Sequence, residues 1–367
     1  MLLKDICVIE RKTINPQKFK NDYFYHFSLP NFDENKKSKI EKGNTIRSTK
    51  YVVDQQMILF NKLNVRFKRV WNIKKCPNDY ISICSGEFIP LIINNKKVLQ
   101  DYIYYYLLTD KINNKLIEGA HGTSSSHQRI SIDILMNIDF FIPSINAQQH
   151  IVDTIGSIDD LIETYRNKNC NINRLIEEYC HKTCENISET TTIKTYVIEE
   201  TERQKNNDYQ LLSVVSSGEV VKQDDFFTKD TSSKDRAKYK IVYPYHFAFN
   251  PARANIGSIG MYNSDVIGCI SPIYSVFKVK EKYELFFNYY LKSEYVKKEI
   301  IKKSSGSVRQ NLPFSEFERI NIPKISEDQI NKLNGIIIPL WRLLNNNLKV
   351  INKLETLKNN YLNKFFK

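Results

Sequence analysis

The chain has 367 residues, of which 41% are apolar and 12% aromatic, with only 11 Gly and 11 Pro. That composition excludes a disordered chain, and the length suits two domains of ordinary size. The formal net charge of +13 excludes an acidic protein and suits a polyanionic partner, although a composition biased towards Lys, Asn and Ile accounts for it equally well.

No run of 18 apolar residues occurs, and Met1-Leu2-Leu3-Lys4-Asp5 lacks a hydrophobic leader, so the expectation is a soluble cytoplasmic protein with no membrane contact. The seven cysteines, odd in number and without a CxxC pair, read as reduced thiols.

Residues 1–145 read as a mixed α/β block. Tyr51-Val52-Val53 and Met57–Asn61 predict strands around a turn, and Ile81-Ser82-Ile83 with Phe88–Ile93 predicts another pair. Residues 101–118, rich in Tyr and Leu, predict one helix, followed by a small-polar loop over 122–129 and a strand over 138–142. Residues 146–187 then carry apolar side chains at alternating steps of four and three: Ile151, Ile155, Ile158, Ile162, Tyr165, Ile172, Ile176 and Tyr179, with Asn169 interrupting. This is a heptad seam on a long helix.

Residues 188–323 repeat the first block, and 324–367 repeat the helix. Phe247-Ala248-Phe249-Asn250 matches Ile58-Leu59-Phe60-Asn61 at an offset of 189, Ile270-Ser271 matches Cys84-Ser85 at 186, and Tyr289-Tyr290-Leu291 matches Tyr105-Tyr106-Leu107 at 184. Gln310 and Leu312 match Gln128 and Ile130 at 182, and Pro323 and Gln329 match Pro143 and Gln149 at 180. An offset that drifts in one direction is the mark of a tandem duplication with small loop deletions. The second seam is Leu333, Ile337, Leu340, Leu344, Ile351, Leu354, Tyr361 and Phe365, interrupted by Asn347 and Lys358. Pro339 inside it predicts a bend near Ile338, or a helix in two pieces. The two asparagines are read either as specifying register or as exposed positions.

The order of domain, Pro, Gln-containing helix start and heptad helix, twice over, resembles the specificity subunit of type I restriction-modification enzymes. The segment Phe249-Asn250-Pro251-Ala252-Arg253-Ala254-Asn255-Ile256-Gly257-Ser258-Ile259-Gly260, the loop Ser304-Ser305-Gly306-Ser307-Val308-Arg309-Gln310-Asn311-Leu312 and the approach through Pro143 to Gln148-Gln149 carry the resemblance, which covers nearly the whole chain. It implies an α+β fold: two similar mixed α/β target recognition domains, 1–145 and 188–323, separated by two long antiparallel coiled-coil-like helices, 146–187 and 324–367, in a pseudo-twofold tandem repeat. Partners implied are double-stranded DNA with a bipartite target, two methyltransferase subunits docked on the helices, and restriction/translocase subunits, as in a bacterial defence system. S-adenosylmethionine, ATP and Mg would belong to those partners, with no cofactor and no metal in this chain. One departure is Lys62-Leu63-Asn64-Val65-Arg66 where the second domain has its Gly-rich 251–260 stretch, so equivalent DNA contacts in the two halves are not assumed.

Arg, Lys, Asn and Gln read bases while Lys, Ser and Thr hold phosphates. The DNA-binding candidates are Arg47, Ser48, Lys50, Arg66, Lys68, Arg69, Gln128 and Arg129 in the first domain, and Lys234, Arg236, Arg253, Asn255, Arg309, Gln310 and Asn311 in the second. The loops 124–129 and 304–311 stand foremost, because small polar residues ending in Arg and Gln occupy the same place in both copies. Arg66, Lys68 and Arg69 alternate with Val65, Phe67 and Val70, which a solvated strand face explains equally well, and Arg253 beside Asn255 also suits a surface turn.

No catalytic residue is expected. Asn250-Pro251-Ala252-Arg253 lacks the second proline and aromatic of an amino-methyltransferase loop, Gly257-Ser258-Ile259-Gly260 is too short for a dinucleotide fingerprint, and no P-loop is present. Cys180-His181-x-x-Cys184 has metal-ligand residue types but no second half, and reads as helix packing. The competing reading is a non-catalytic coiled-coil scaffold that binds protein or RNA, without salt-steep, sequence-selective duplex binding.

Overall fold

The computed structural model describes residues 1–76, 79–94, 96–120, 128–185, 187–205, 209–223, 236–304 and 311–367. The chain packs as two compact units, 1–165 with 350–367, and 166–349. Each unit therefore holds one globular domain and a part of both long helices.

In the first unit, a four-stranded antiparallel sheet runs in the order Cys7–Ile9, Phe88–Ile93, Met57–Asn61, Val70–Ile73. A second, five-stranded sheet has the order Thr13–Ile14, Lys50–Val52, Ile81–Cys84, Tyr23–Phe27, Lys39–Lys42, with one parallel pair between Tyr23–Phe27 and Ile81–Cys84. Met57–Asn61 is buried at every position. Strand side chains alternate between faces, so Ile58 and Phe60 enter a core with Ile103, Leu107 and Leu116, while Met57 and Leu59 enter another with Phe27, Trp71 and Phe88. A strand buried on both faces needs a continuous apolar run, and Met-Ile-Leu-Phe supplies it.

The second unit repeats both sheets. Val197–Glu200, Ser275–Val279, Phe247–Phe249 and Ile259–Met261 form one, and Lys240–Val242, Gly268–Ile270, Gln210–Val214 and Val220–Lys222 form the other, again with a single parallel pair, between Gln210–Val214 and Gly268–Ile270. Phe247 and Phe249 face one core and Ala248 the other, as Ile58, Phe60 and Leu59 do. Thr109 and Ser293 cap the equivalent helices Asp110–Glu118 and Glu294–Lys303, accepting from the Ile112 and Val296 amides at 3.4 and 3.3 Å.

Three sequence expectations change. Residues 101–118 form two helices, Gln100–Leu107 and Asp110–Glu118, because the Thr109 hydroxyl caps the second. Residues 138–142 form no strand; Asp139 makes one isolated bridge to Leu2, whereas the equivalent Asn321–Pro323 pairs with Thr190–Thr192. The second long helix is not in two pieces: it runs unbroken from Glu327 to Phe365 with Pro339 inside it. Pro339 donates no hydrogen bond and its ring crowds the carbonyl four residues back. That residue is Gly335, and both positions are exposed.

The long helices, Ile145–Glu185 of 41 residues and Glu327–Phe365 of 39, would each be about 60 Å long at 1.5 Å per residue. Within the first unit Ile151 and Ile155 share a core with Leu362 and Phe366, Asp159 pairs with Lys358 at 2.6 Å, and Ile158 and Ile162 pack on Ile351 and Leu354. Numbers rise along one helix as they fall along the other, so the segments are antiparallel. Phe366 also lies 5.2 and 4.8 Å from the rings of Tyr102 and Tyr106. Within the second unit Ile172, Ile176 and Cys180 join the core with Ile330, Leu333, Ile337 and Leu344, and Leu340 packs half-buried against it.

The seam drifts at its far ends. A straight α-helix falls about 20° behind a seven-residue repeat at each heptad. Four heptads after Ile151 the next residue should therefore take over, and Tyr179 is 39% exposed while Cys180 is buried. Four heptads after Leu333 and Ile337, Leu362 and Phe366 are likewise buried where the strict repeat names Tyr361 and Phe365. Gln148 ties the start of the first helix to its domain: its side chain is fully buried, donates to the Lys97 and Pro143 carbonyls at 2.8 and 2.9 Å, and accepts from the Leu99 amide at 2.9 Å.

Candidate nucleic-acid interface

Arg66 and its neighbours do not lie on a strand. Val65–Phe67 is a 3-10 turn, bounded by Asn64 and Lys68 in the left-handed region at φ 53° and 46°. Such a backbone costs a residue with a Cβ about 1–2 kcal/mol unless its surroundings hold it. The Asn61 side chain holds it here, accepting from the Leu63 amide at 3.0 Å and donating to the Leu63 carbonyl. The Gln128 carbonyl accepts from the Asn64 amide at 2.8 Å, and the Lys62 carbonyl from the Ile130 amide at 3.1 Å.

The second domain builds the same turn from a different sequence. Ala254–Ile256 is a 3-10 turn ended by Gly257 at φ 96°. Asn250, equivalent to Asn61, accepts from the Ala252 amide at 3.1 Å, and the Pro251 carbonyl accepts from the Leu312 amide at 3.0 Å. The glycines serve close packing: a Cβ on Gly257 would stand 2.4 Å from the Ser216 carbonyl oxygen, and one on Gly260 2.0 Å from that of Gly218. Asn61 and Asn250 were legible as matched residues, but the pairing of different side-chain sequences on one backbone scaffold was not.

The first turn gathers several candidates. Arg66 donates to the Asn64 side chain at 2.6 Å, and Lys68 pairs with Asp110 at 2.6 Å. Arg69 is held in a two-pronged pair with Asp33 at 2.6 and 2.8 Å, and Arg129 in another with Glu87 at 3.1 and 2.8 Å. The Arg129 guanidinium keeps the Glu87 carboxyl below its usual range. Exposed ion pairs are worth about 0–1 kcal/mol, so their effect is to aim a fork of donors. Arg129 also bridges Leu63, which brings the end of the 122–129 loop to the turn.

In the second domain Arg253 is exposed at the start of its turn, Asn255 is half-buried within it, and Asn311 is exposed one residue before Leu312. No Glu87–Arg129 pair recurs there, since Asn311 stands where Arg129 does. Arg236 is half-buried, with its carbonyl accepting from Gln204 at 2.6 Å. Lys234, Arg309 and Gln310 lie outside the described residues, as does most of each foremost loop.

Arg47, Ser48 and Lys50 belong to the other sheet of the first domain. Arg47 and Ser48 are exposed, whereas Lys50 is buried with its Nζ 2.5 Å from Ser48 Oγ. Burial lowers its pKa, against the opposing pull of Glu41.

Among the described residues no group of His, Cys, Asp or Glu is arranged to hold a metal ion. Burial pushes the thiols of Cys180 and Cys184 up to about 12, and His181 pairs with Glu185 at 3.2 Å. No described helix is long and apolar enough to cross a membrane.

Residues 1–174 match the family model described as the type I restriction modification DNA specificity domain. Among solved structures, the type I restriction-modification S subunit from M. genitalium is similar over 100% of this chain and 95% of its own, with a TM-score of 0.54 and 14% identity. The HsdS subunit from Thermoanaerobacter tengcongensis matches over 100% and 95%, with a TM-score of 0.42 and 14% identity. The curated proteins searched include no match. The specificity-domain match thus covers the first part of the chain, residues 1–174, and the second part builds the same two-sheet arrangement again.

Proposed function

We propose that this chain reads a bipartite target in double-stranded DNA, one half-site per globular domain, and that its long helices dock two methyltransferase subunits and the restriction subunits of the complex. The observation that carries this reading is the pair of equivalent 3-10 turns. Each is held by an asparagine two residues before a backbone partner, each lies in a stretch that hydrogen-bonds to the end of the domain's basic loop, and each has an arginine, Arg66 within the first turn and Arg253 immediately before the second. One scaffold with different side chains suits two half-sites of different sequence. Arginine forks pre-aimed by carboxylates suit guanine edges, where a good two-pronged contact discriminates by about 1–3 kcal/mol.

Specificity subunits are the non-catalytic members of such complexes, so methyl transfer with S-adenosylmethionine, and ATP- and Mg-dependent cleavage, fall to partner subunits acting inside the cell. The test is co-expression with the methyltransferase encoded beside this chain, followed by mapping of methylated adenines in the host DNA. One split motif with a fixed spacer is expected. A complex that forms without any motif, or duplex binding without steep salt dependence, would refute the reading in favour of a protein- or RNA-binding scaffold.

A further inference from the structure

The two equivalent turns each grade from inside to outside in the same way. Val65 and Ala254 are buried, Arg66 and Asn255 are half-buried, and the third residue projects: Phe67 is 47% exposed and Ile256 is 55% exposed. A single exposed apolar side chain needs no explanation. Here the same position of a duplicated scaffold is apolar and projecting twice, although the surrounding sequence has diverged. In both copies the next residue, Lys68 or Gly257, takes a left-handed backbone that turns the chain back towards the sheet and leaves the apolar residue at the tip.

The charges around these tips indicate what they meet. The Arg69 and Arg66 guanidinium carbons lie 4.6 and 5.4 Å from the Phe67 ring centre, and Arg69 is fixed there by Asp33. Arg253 begins the second turn. An apolar protein partner would offer no acceptors to the remaining N–H donors of these guanidinium groups, whereas the DNA major groove offers acceptors and one apolar group side by side. That group is the 5-methyl of thymine, which apolar side chains contact in direct readout. Insertion between base pairs suits the tips less well. The Phe67 ring already carries guanidinium groups, which would have to leave it before it could enter the base stack.

Resting on the DNA-reading function above, we propose that Phe67 and Ile256 are the equivalent apolar readers of the two domains, each contacting a thymine methyl group in its own half-site. The arginines beside them supply the polar contacts to neighbouring bases or phosphates.

The experiment uses the full chain in complex with its methyltransferase and duplexes carrying the mapped motif, with each thymine in turn replaced by deoxyuridine, which removes the methyl and leaves base pairing intact. For the unaltered protein, one replacement in each half-site should weaken binding about fourfold, the equivalent of one buried methyl group. In Phe67→Ala the penalty should vanish in one half-site only, and in Ile256→Ala in the other only. Phe67→Leu, which keeps an apolar tip, should retain a penalty. Deoxyuridine penalties that are absent, or that persist unchanged in both alanine variants while binding stays motif-selective, overturn this proposal alone. Loss of all motif selectivity by the unaltered protein overturns the DNA-reading function, and this inference with it.

Discussion

Asn347 Nδ2 donates a 2.8 Å hydrogen bond to Asn169 Oδ1 at a buried point of the helix seam. The two residues stand 178 positions apart, the next step of the series that relates the two repeats, so each asparagine meets its own counterpart. The reading of these positions as register-setting buried polar groups fits the geometry, and exposure does not: they are 7% and 6% exposed. Asn169 Nδ2 is buried and has no hydrogen-bond partner among the described residues. Replacing Asn347 with Leu strands the whole Asn169 amide and should cost about 1–3 kcal/mol in urea unfolding. Replacing both with Leu should be close to neutral or stabilising, at the expense of uniqueness, seen as mixed species in size-exclusion chromatography with light scattering. A double variant as unstable as the single one would show that the pair itself supplies stability.

Pro339 and Gly335 are both exposed in the second long helix, so neither is needed for its packing. Pro339→Ala restores a backbone donor and removes the ring from the Gly335 carbonyl, and should stabilise by about 1–3 kcal/mol. Gly335→Ala meets nothing within 4 Å and should add roughly 0.5–1 kcal/mol. Thermal unfolding of the two variants checks both signs.

The opposite sign is expected at Gly260. Its hydrogen points at the Gly218 carbonyl, and a methyl group in that place would stand 2.0 Å from backbone that cannot swing aside. Gly260→Ala should destabilise by about 1–3 kcal/mol, the usual range for overpacking, and hydrogen exchange should localise the loss to the 259–261 strand and the 215–219 turn.

Acid should weaken the first domain through His26. Burial lowers its pKa from the ordinary 6.5; Glu41 pulls the other way through a 3.1 Å contact with Nδ1, and Lys50 adds to the lowering. Its Nε2 is buried without a partner among the described residues, so a second ring proton has nowhere to bind. Below about pH 6.5 the unfolded chain takes up that proton before the folded one does, and stability falls as pH drops through this window. The loss should be on the order of 1 kcal/mol between pH 7.5 and 5.5 and should shrink in His26→Gln. His246, also lowered by burial, adds a loss of the same sign in the second domain.

The duplication and the long helices were legible because both are periodic, one at a drifting offset and one at 3.5 residues, and periodicity needs no knowledge of tertiary contacts. The strands Cys7–Ile9, Thr13–Ile14, Tyr23–Phe27 and Lys39–Lys42 were not legible. They are short, and most are paired with residues far along the chain, as Cys7 is with Ile93. Alternation of Val65, Arg66 and Phe67 suited a strand over three residues as well as it suited a turn. Only the left-handed backbones of Asn64 and Lys68 separate the two, and neither residue type demands that conformation. The candidate loops and their arginines were proposed by matching the copies. Phe67 and Ile256 were not among the candidates, because they differ chemically and are seen as equivalent only from the shared backbone.

The core around Ile151 and Ile155 is closed by Leu362 and Phe366, residues 211 positions further along the chain. A nascent chain of 349 residues already contains every segment of the second unit, but lacks the helix end that seals the first. Translation order and packing order are thus inverted: the domain made first acquires the helix segment that packs against Tyr102 and Tyr106 only after every segment of the second unit has been made.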